Sequence, residues 1–169
     1  MIEVRDPSSD TVHVGPGEGQ AVRMPGLQIL TRKVSSEQTG GAYSLFEVEV
    51  GPGGGEGPHV QHREDECLYV LEGRFEFLIE GARIEAGTGS LIYVPKGNLH
   101  AFKNTGNTTG RMLVSQPPGG VYQGFVEEAG KPVATEEAAS PTAERSPEGV
   151  ERLAAVGAEY GVEIVSPLP

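Results

Sequence analysis

Four polar residues are of the types that bind metal ions. His59, Gln61 and Glu66 lie close together in the chain, and His100 follows in a separate segment. Imidazole nitrogens and carboxylate oxygens suit Fe, Mn, Co, Ni, Cu or Zn as ligands. If the fold brings these residues together, their chemistry would be that of a divalent transition metal, and Glu66 could also serve as a general base.

Strand geometry decides which of these side chains can meet. Residues two apart in a strand share a face, so His59 and Gln61 point the same way and His62 points away. We expect His62 at the surface, paired with a neighbouring acid. Glu66 opens the next strand candidate, and His100 comes from a separate hairpin. A β-barrel can bring such distant positions to one interior point.

Short strands separated by Gly, Pro and Asn predict an all-β sandwich or barrel. Hairpin turns are expected at Leu71–Arg74 and Glu80–Arg83, where Gly73 and Gly81 permit the positive φ that such turns need. The strand candidates are Thr11–Val14, Leu27–Arg32, Tyr43–Val50, Cys67–Leu71, Arg74–Ile79, Ser90–Val94 and Met112–Ser115.

Three stretches divide the chain. Residues 1–40 are predicted to form N-terminal strands and turns that pack on a barrel, and residues 41–126 to form the barrel core. Residues 127–169 should contain a surface linker and a short helix, with a candidate edge strand at Val162–Val165. Ser146 before Pro147 has the pattern of an N-cap and first helical residue, and Gly161 is expected to end this helix.

Composition limits the class of protein. The 169 residues suit one domain, and 25 Gly and 13 Pro suit many tight turns. The net charge of −11 argues against binding to nucleic acid or to an anionic membrane surface. Cys67 has no partner for an internal disulfide, and no secretory signal or membrane span is visible, so a cytoplasmic location is expected.

Two segments resemble the signature motifs of the cupin superfamily. Residues 53–73 read G(x)5HxQ(x)4E(x)6G, and residues 89–104 read G(x)5PxG(x)2H(x)3N. The first family motif has a second His where this chain has Gln61. The resemblance implies an all-β, double-stranded β-helix (a jelly-roll barrel), here followed by a short C-terminal helix. It also implies that His59, Glu66 and His100 are metal ligands.

The Gln61 position leaves four alternatives open. Its carbonyl oxygen could bind the metal as a neutral, weaker ligand than imidazole. It could stay uncoordinated, leaving the two-His-one-carboxylate set of non-haem Fe(II) oxygenases. His62 could replace it through a β-bulge, or the metal could be lost altogether.

Within the superfamily, the chain looks most like single-domain, quercetin-dioxygenase-like cupins, partly because of residues 118–125. This implies a metal-dependent dioxygenase for a small aromatic or enolic substrate, with Glu66 as a base. The alternatives are a non-catalytic ligand-binding protein and a metal-assisted isomerase or lyase. Phe46, Tyr69 and Phe102 are candidate pocket residues, since aromatic side chains can line a cavity beside the metal. Family analogy also suggests a homodimer, with the N-terminal strands supplying the interface.

Overall fold

A computed structural model describes residues 11–133 and 147–165. Twelve strands and two helices are present in these ranges. In chain order they are β1 Gln20–Met24, β2 Gln28–Val34, β3 Ser44–Val50, β4 Gly55–Gln61, β5 Glu66–Glu72, β6 Arg74–Ile79, β7 Ala82–Gly87, β8 Leu91–Val94, β9 Leu99–Asn104, β10 Gly110–Gln116, α1 Val121–Ala129, β11 Lys131–Pro132, α2 Pro147–Tyr160 and β12 Val162–Ile164. The predicted N-cap Ser146 and most of the predicted linker lie outside the described residues.

The strands form two antiparallel sheets that face each other. The seven-stranded sheet has the order β11-β1-β2-β3-β10-β5-β8, and the five-stranded sheet has the order β12-β4-β9-β6-β7. Sequence neighbours often lie in different sheets, as β3 and β4 do, so the chain crosses repeatedly between the layers. This is the predicted all-β jelly roll with a short C-terminal helix.

The core fills the space between the sheets because each strand alternates inward and outward residues. In β3, Phe46, Val48 and Val50 are buried, while Glu47 and Glu49 between them are more accessible. Burying one large apolar side chain contributes about 1.5–3 kcal/mol. The five-stranded sheet adds a cluster of aromatic rings from β6 and β9, namely Phe75, Phe77 and Phe102.

Of the two predicted hairpin turns, only one is a hairpin in the structure. Glu80 and Gly81 both have positive φ, 48° and 83°, and join β6 to β7 as a two-residue hairpin, as predicted. Gly73 also has positive φ, but the turn there is not a hairpin. It carries the chain from β5 in one sheet to β6 in the other.

The predicted elements at the two ends of the chain have different outcomes. The strand expected at Thr11–Val14 is absent, and the first described strand is β1, which pairs with β2 and β11. Helix α2 and strand β12 lie where the sequence predicts them.

Helix α1 was not predicted, because Gly124 interrupts its sequence and its N-terminus has no side-chain cap of its own. Glu64, far upstream, accepts hydrogen bonds from the backbone N–H groups of Val121 and Tyr122 at 2.9 and 2.7 Å.

Candidate metal centre

Three potential ligands meet between the two sheets. His59 on β4 lies directly opposite His100 on the neighbouring β9, and Glu66 begins β5 in the other sheet. One ligand atom from each residue lies within 4.8 Å of the other two. All three residues are at most 2% exposed. The fold therefore assembles two imidazoles and one carboxylate that are far apart in sequence.

Backbone carbonyls fix the orientation of both imidazole rings. His59 Nδ1 donates to the carbonyl oxygen of Gly57 at 2.9 Å, and His100 Nδ1 donates to that of Asn98 at 3.0 Å. Since a carbonyl oxygen only accepts, each Nδ1 carries a proton and each Nε2 is the atom turned toward the cluster. In a metal-binding His, the ring nitrogen that does not bind the metal usually donates to a group such as a backbone carbonyl, as Nδ1 does here.

Glu66 is held from both sides. Its Oε2 lies 2.9 Å from His100 Nε2, and its Oε1 accepts a hydrogen bond of 3.1 Å from Gln116 Nε2. Burial by itself raises the pKa of Glu66, but the hydrogen bond and charge of His100 outweigh it and lower that pKa. Burial opposes the charge on His100 too, yet the Glu66 carboxylate raises the pKa of His100 to about 9. In the absence of a metal, this pair therefore shares a proton as imidazolium and carboxylate.

Several buried polar atoms around this pair have no hydrogen-bond partner. They are His59 Nε2, Gln116 Oε1 and both Oε1 and Nε2 of Gln61. Each unsatisfied buried group costs roughly 1–3 kcal/mol, so a cluster of them calls for a bound species. A divalent cation fits this set, because it would take the lone pair of His59 Nε2 and replace the shared proton. The residues that would hold it are His59, Glu66 and His100, with Gln61 beside them.

The structure separates the Gln61 and His62 alternatives. Gln61 is 3% exposed, and its backbone carbonyl accepts a hydrogen bond from Gly97 in the turn before β9. His62 points outward, and its half-exposed imidazole lies 2.8 Å from Glu163 Oε2. The alternative in which a bulge turns His62 inward is therefore wrong. Gln61 is the residue whose side chain shares the face of His59.

The three candidate pocket residues have different positions. Phe46 is buried in the core, where its ring contacts Tyr122, and Tyr122 lines a cavity of about 530 Å³. Phe102 borders a second cavity of about 720 Å³. Tyr69 is 43% exposed on the outer face of β5, opposite to Glu66, so the structure does not bring it to the cluster.

Two residues near the cluster escaped the sequence prediction. Gln116 continues the inward alternation of Met112 and Val114, so its polar side chain on the core face was the available signal. Glu56 lies with Oε1 3.8 Å from His59 Nε2, although it is three positions away in a strand. Its orientation depends on a bulge in β4 that the sequence does not reveal.

Other motif residues have structural roles. The Asn104 side chain donates to the carbonyls of Val50 and Thr108 and accepts from Gly106 N–H, so it holds the turn after β9. Among the described residues, no helix is both long and apolar enough to cross a membrane.

The chain shares sequence with several known proteins. A germin-like protein of Arabidopsis thaliana, subfamily 2 member 2, is 31% identical over 105 residues, which are 57% of this chain and 43% of that protein. The tetracenomycin polyketide synthase protein TcmJ of Streptomyces glaucescens is 27% identical over 90 residues, which are 52% of this chain and 60% of that protein. The chain thus spans about half the length of these relatives.

Several solved structures are similar to the fold of this chain. The polyketide cyclase RemF from Streptomyces resistomycificus superposes with a TM-score of 0.56 and 30% identity, covering 63% of this chain and 79% of that one. A predicted oxalate decarboxylase from Thermotoga maritima has a TM-score of 0.59, and its 23% identity supports the fold alone. That alignment covers 63% of this chain and 99% of the other. Residues 46–115 match the family described as "Cupin domain". The two-sheet jelly roll agrees with this match to a cupin domain over residues 46–115.

Proposed function

We propose that this protein is a metal-dependent enzyme that carries out a dioxygenase-type reaction on a small aromatic or enolic substrate. The observation that carries the proposal is the buried set of His59, Glu66 and His100 with unpartnered polar atoms around it. Two imidazoles and one carboxylate that leave other coordination positions open are the ligand type of non-haem Fe(II) oxygenases.

Each residue has a defined part in this proposal. Backbone carbonyls keep the Nε2 atoms of His59 and His100 directed at the centre. Gln116 holds one oxygen of Glu66, which leaves the other oxygen to face His100 and to act as ligand or as proton acceptor. A bound divalent metal would supply Lewis acidity that lowers the pKa of a coordinated enolic or phenolic hydroxyl.

The nearby cavity supports an apolar substrate. Its volume of about 530 Å³ is within the range of small-ligand sites. Met24, Leu30 and Tyr122 are among its lining residues, with Val150 and Leu153 from α2. Such a wall favours an aromatic ring over a small, strongly hydrated acid. Two of the similar proteins carry polyketide cyclase or synthase names, and an aromatic or enolic substrate would agree with that similarity.

Oxygen uptake tests this proposal. The purified protein would be loaded anaerobically with Fe(II), Mn(II) or Ni(II) and mixed with a flavonol such as quercetin in an oxygen-electrode cell. We expect oxygen consumption to match substrate loss, and we expect His100→Ala to abolish both. Stoichiometric metal without turnover on any enolic probe would instead support the non-catalytic ligand-binding alternative.

We also propose a non-redox reaction as the second candidate, a metal-assisted isomerisation or lyase reaction. The similarity to the polyketide cyclase RemF favours it, because ring closure needs no oxidant. Equal turnover with and without oxygen would select this candidate over the dioxygenase.

A homodimer is part of the proposal, with a different interface from the one expected. Strand β1 is covered by β2 and β11, so it does not offer a free edge. Strand β8 is the edge of the seven-stranded sheet, and Tyr69, Leu91 and Tyr93 are 43%, 61% and 54% exposed on the outer face of β5 and β8. Light scattering would show a dimer that Leu91→Lys converts to a monomer.

A cytoplasmic location remains the expectation from the lone Cys67.

A further inference from the structure

Glu56 occupies a position that a regular strand would not give it. In an ordinary strand, residues three apart face opposite sides, so Glu56 should point away from His59. The pairing of β4 with β9 shifts register at this point, since Glu56 lies opposite Phe102 and His59 lies opposite His100. Between these two pairs the chain advances three residues along β4 but only two along β9. This bulge turns Glu56 to the side of His59, as bulges near active sites commonly do.

The Glu56 carboxylate connects the ligand cluster with the cavity. Its Oε1 lies 3.8 Å from His59 Nε2, and its side chain is 13% exposed. His59, Gln61, Glu66 and His100 are at most 3% exposed, and none of them lines the cavity of about 530 Å³. Glu56 does line it, beside Pro58 and Tyr122. A ligand in the cavity that approaches the cluster would pass this carboxylate.

The charges around the cavity have one sign. The charged residues in its lining are Glu56 and Glu151, and the lining as described contains no Lys or Arg. Most of the remaining wall is apolar. An anionic ligand would lose water and meet a carboxylate of like charge, which is unfavourable in such a site. A hydroxyl group of a neutral ligand would instead find a strong, charged acceptor.

We propose that Glu56 selects the substrate at this centre by accepting a hydrogen bond from a hydroxyl group of a neutral aromatic or enolic ligand and by repelling carboxylates. The inference rests on the proposed function and narrows its substrate class. Glu56 would contribute to specificity in two ways, because it attracts a neutral ligand with a hydroxyl group and repels a ligand with a carboxylate.

Catechol and salicylate form a matched pair of probes. Both are single aromatic rings with two adjacent oxygen groups, but salicylate carries a carboxylate where catechol has a hydroxyl. Binding to zinc-loaded protein would be measured by calorimetry, since Zn²⁺ is redox-inactive and does not oxidise catechol. We expect wild type to prefer catechol, and we expect Glu56→Gln to shift the ratio of dissociation constants toward salicylate by roughly tenfold.

Glu151→Gln is the control, since it removes the other lining carboxylate, which is exposed on α2. We expect it to change the ratio by less than about twofold, because solvent screens an exposed charge. An unchanged ratio in Glu56→Gln would overturn the inference, and so would an equal shift in both variants. Loss of zinc from Glu56→Gln would also overturn it, since Glu56 would then be a metal ligand.

Metal content, measured on the same samples, tests the proposed function separately. If wild-type protein takes up no zinc, the metal-dependent function fails. The two probes are then compared on metal-free protein, where the Glu56 carboxylate still lines the cavity. A preference for catechol that Glu56→Gln removes would support the selection by Glu56 even so, and equal binding of both probes would overturn it.

Discussion

Gln116 donates a hydrogen bond of 3.1 Å from Nε2 to Oε1 of Glu66, and this bond directs the other carboxylate oxygen toward His100. Gln116 ends β10, the strand that pairs with β5, so the two side chains come from adjacent strands of one sheet. His100 belongs to the opposite sheet. Gln116 is therefore a positioning residue, because it acts on the centre through Glu66.

Replacing Gln116 by Leu should weaken metal binding while the protein stays folded. The variant removes the donor to Glu66, and partners of metal ligands typically contribute about 10–100-fold to metal affinity. We expect a loss of at least about tenfold in Zn²⁺ affinity, measured by competition with a chromophoric chelator. Gln123→Leu is the control, since Gln123 is also buried but bonds to Ser36 and Glu37. Equal metal affinity in Gln116→Leu and wild type would contradict the positioning role.

Replacing Gln61 by His should strengthen binding of late transition metals. The Gln61 side chain is buried without a hydrogen-bond partner on the face of His59, so an imidazole there would add a third nitrogen ligand. Imidazole binds Ni²⁺ and Zn²⁺ better than an amide oxygen does. We expect tighter Ni²⁺ binding in Gln61→His by calorimetry. His62→Ala should leave the affinity unchanged, because His62 pairs with Glu163 at the surface; a loss of metal in that variant would show that the assignment is wrong.

The buried carboxylate of Glu64 should make stability depend on pH. Burial, with a smaller contribution from the charge of Glu66, raises the pKa of Glu64 from 4.5 to about 7, although the N–H groups of Tyr122 and Val121 oppose the rise. Between these values the folded chain binds more protons than the unfolded chain. The contribution of Glu64 to the free energy of unfolding should therefore fall as pH rises through this window and level off above about pH 7.

Denaturant unfolding of metal-free protein at pH 5 and pH 8 measures this effect. We expect Glu64→Gln to remove on the order of 1–3 kcal/mol from the difference in stability between the two pH values. Asp65→Asn is the neighbouring control. The hydrogen bonds from Lys96 N–H and the Tyr93 hydroxyl keep the pKa of Asp65 low, so this residue stays ionised over the whole range. The same pH slope in Glu64→Gln and wild type would contradict the prediction.

Gly55 should tolerate no side chain, because it precedes the bulge that orients Glu56. A Cβ there would overlap the carbonyl oxygen of Phe102 and lie 2.8 Å from the Cα of Lys103. Gly53 also has positive φ, but a Cβ there meets nothing within 4 Å. We expect Gly53→Ala to cost about 1 kcal/mol and Gly55→Ala about 3 kcal/mol or more in denaturant unfolding. Equal costs would show that the bulge is not tightly packed against β9.

The sequence predicted the parts of the site that depend on local strand geometry. The alternation of His59, Gln61 and His62 assigns the inward and outward side chains, and the structure places them accordingly. The hairpin at Glu80 and Gly81 follows from local turn chemistry in the same way.

What the sequence missed depends on contacts between distant segments. In the run of three acids at residues 64–66, the sequence assigned a role only to Glu66, yet Glu64 caps α1 and Asp65 binds the turn before β9. Helix α1 escaped prediction because its cap comes from this run. The bulge that turns Glu56 inward is a property of the pairing between β4 and β9, so the sequence of β4 alone cannot reveal it.

Metal stoichiometry tests whether His59, Glu66 and His100 form a metal site. Purified protein would be stripped with a chelator, reconstituted with Fe(II), Mn(II), Ni(II) or Zn(II), desalted and measured by elemental mass spectrometry. We expect about one metal ion per chain in wild type and at least about a tenfold loss of affinity in His100→Ala. Less than about a tenth of an equivalent in wild type with every metal would contradict it.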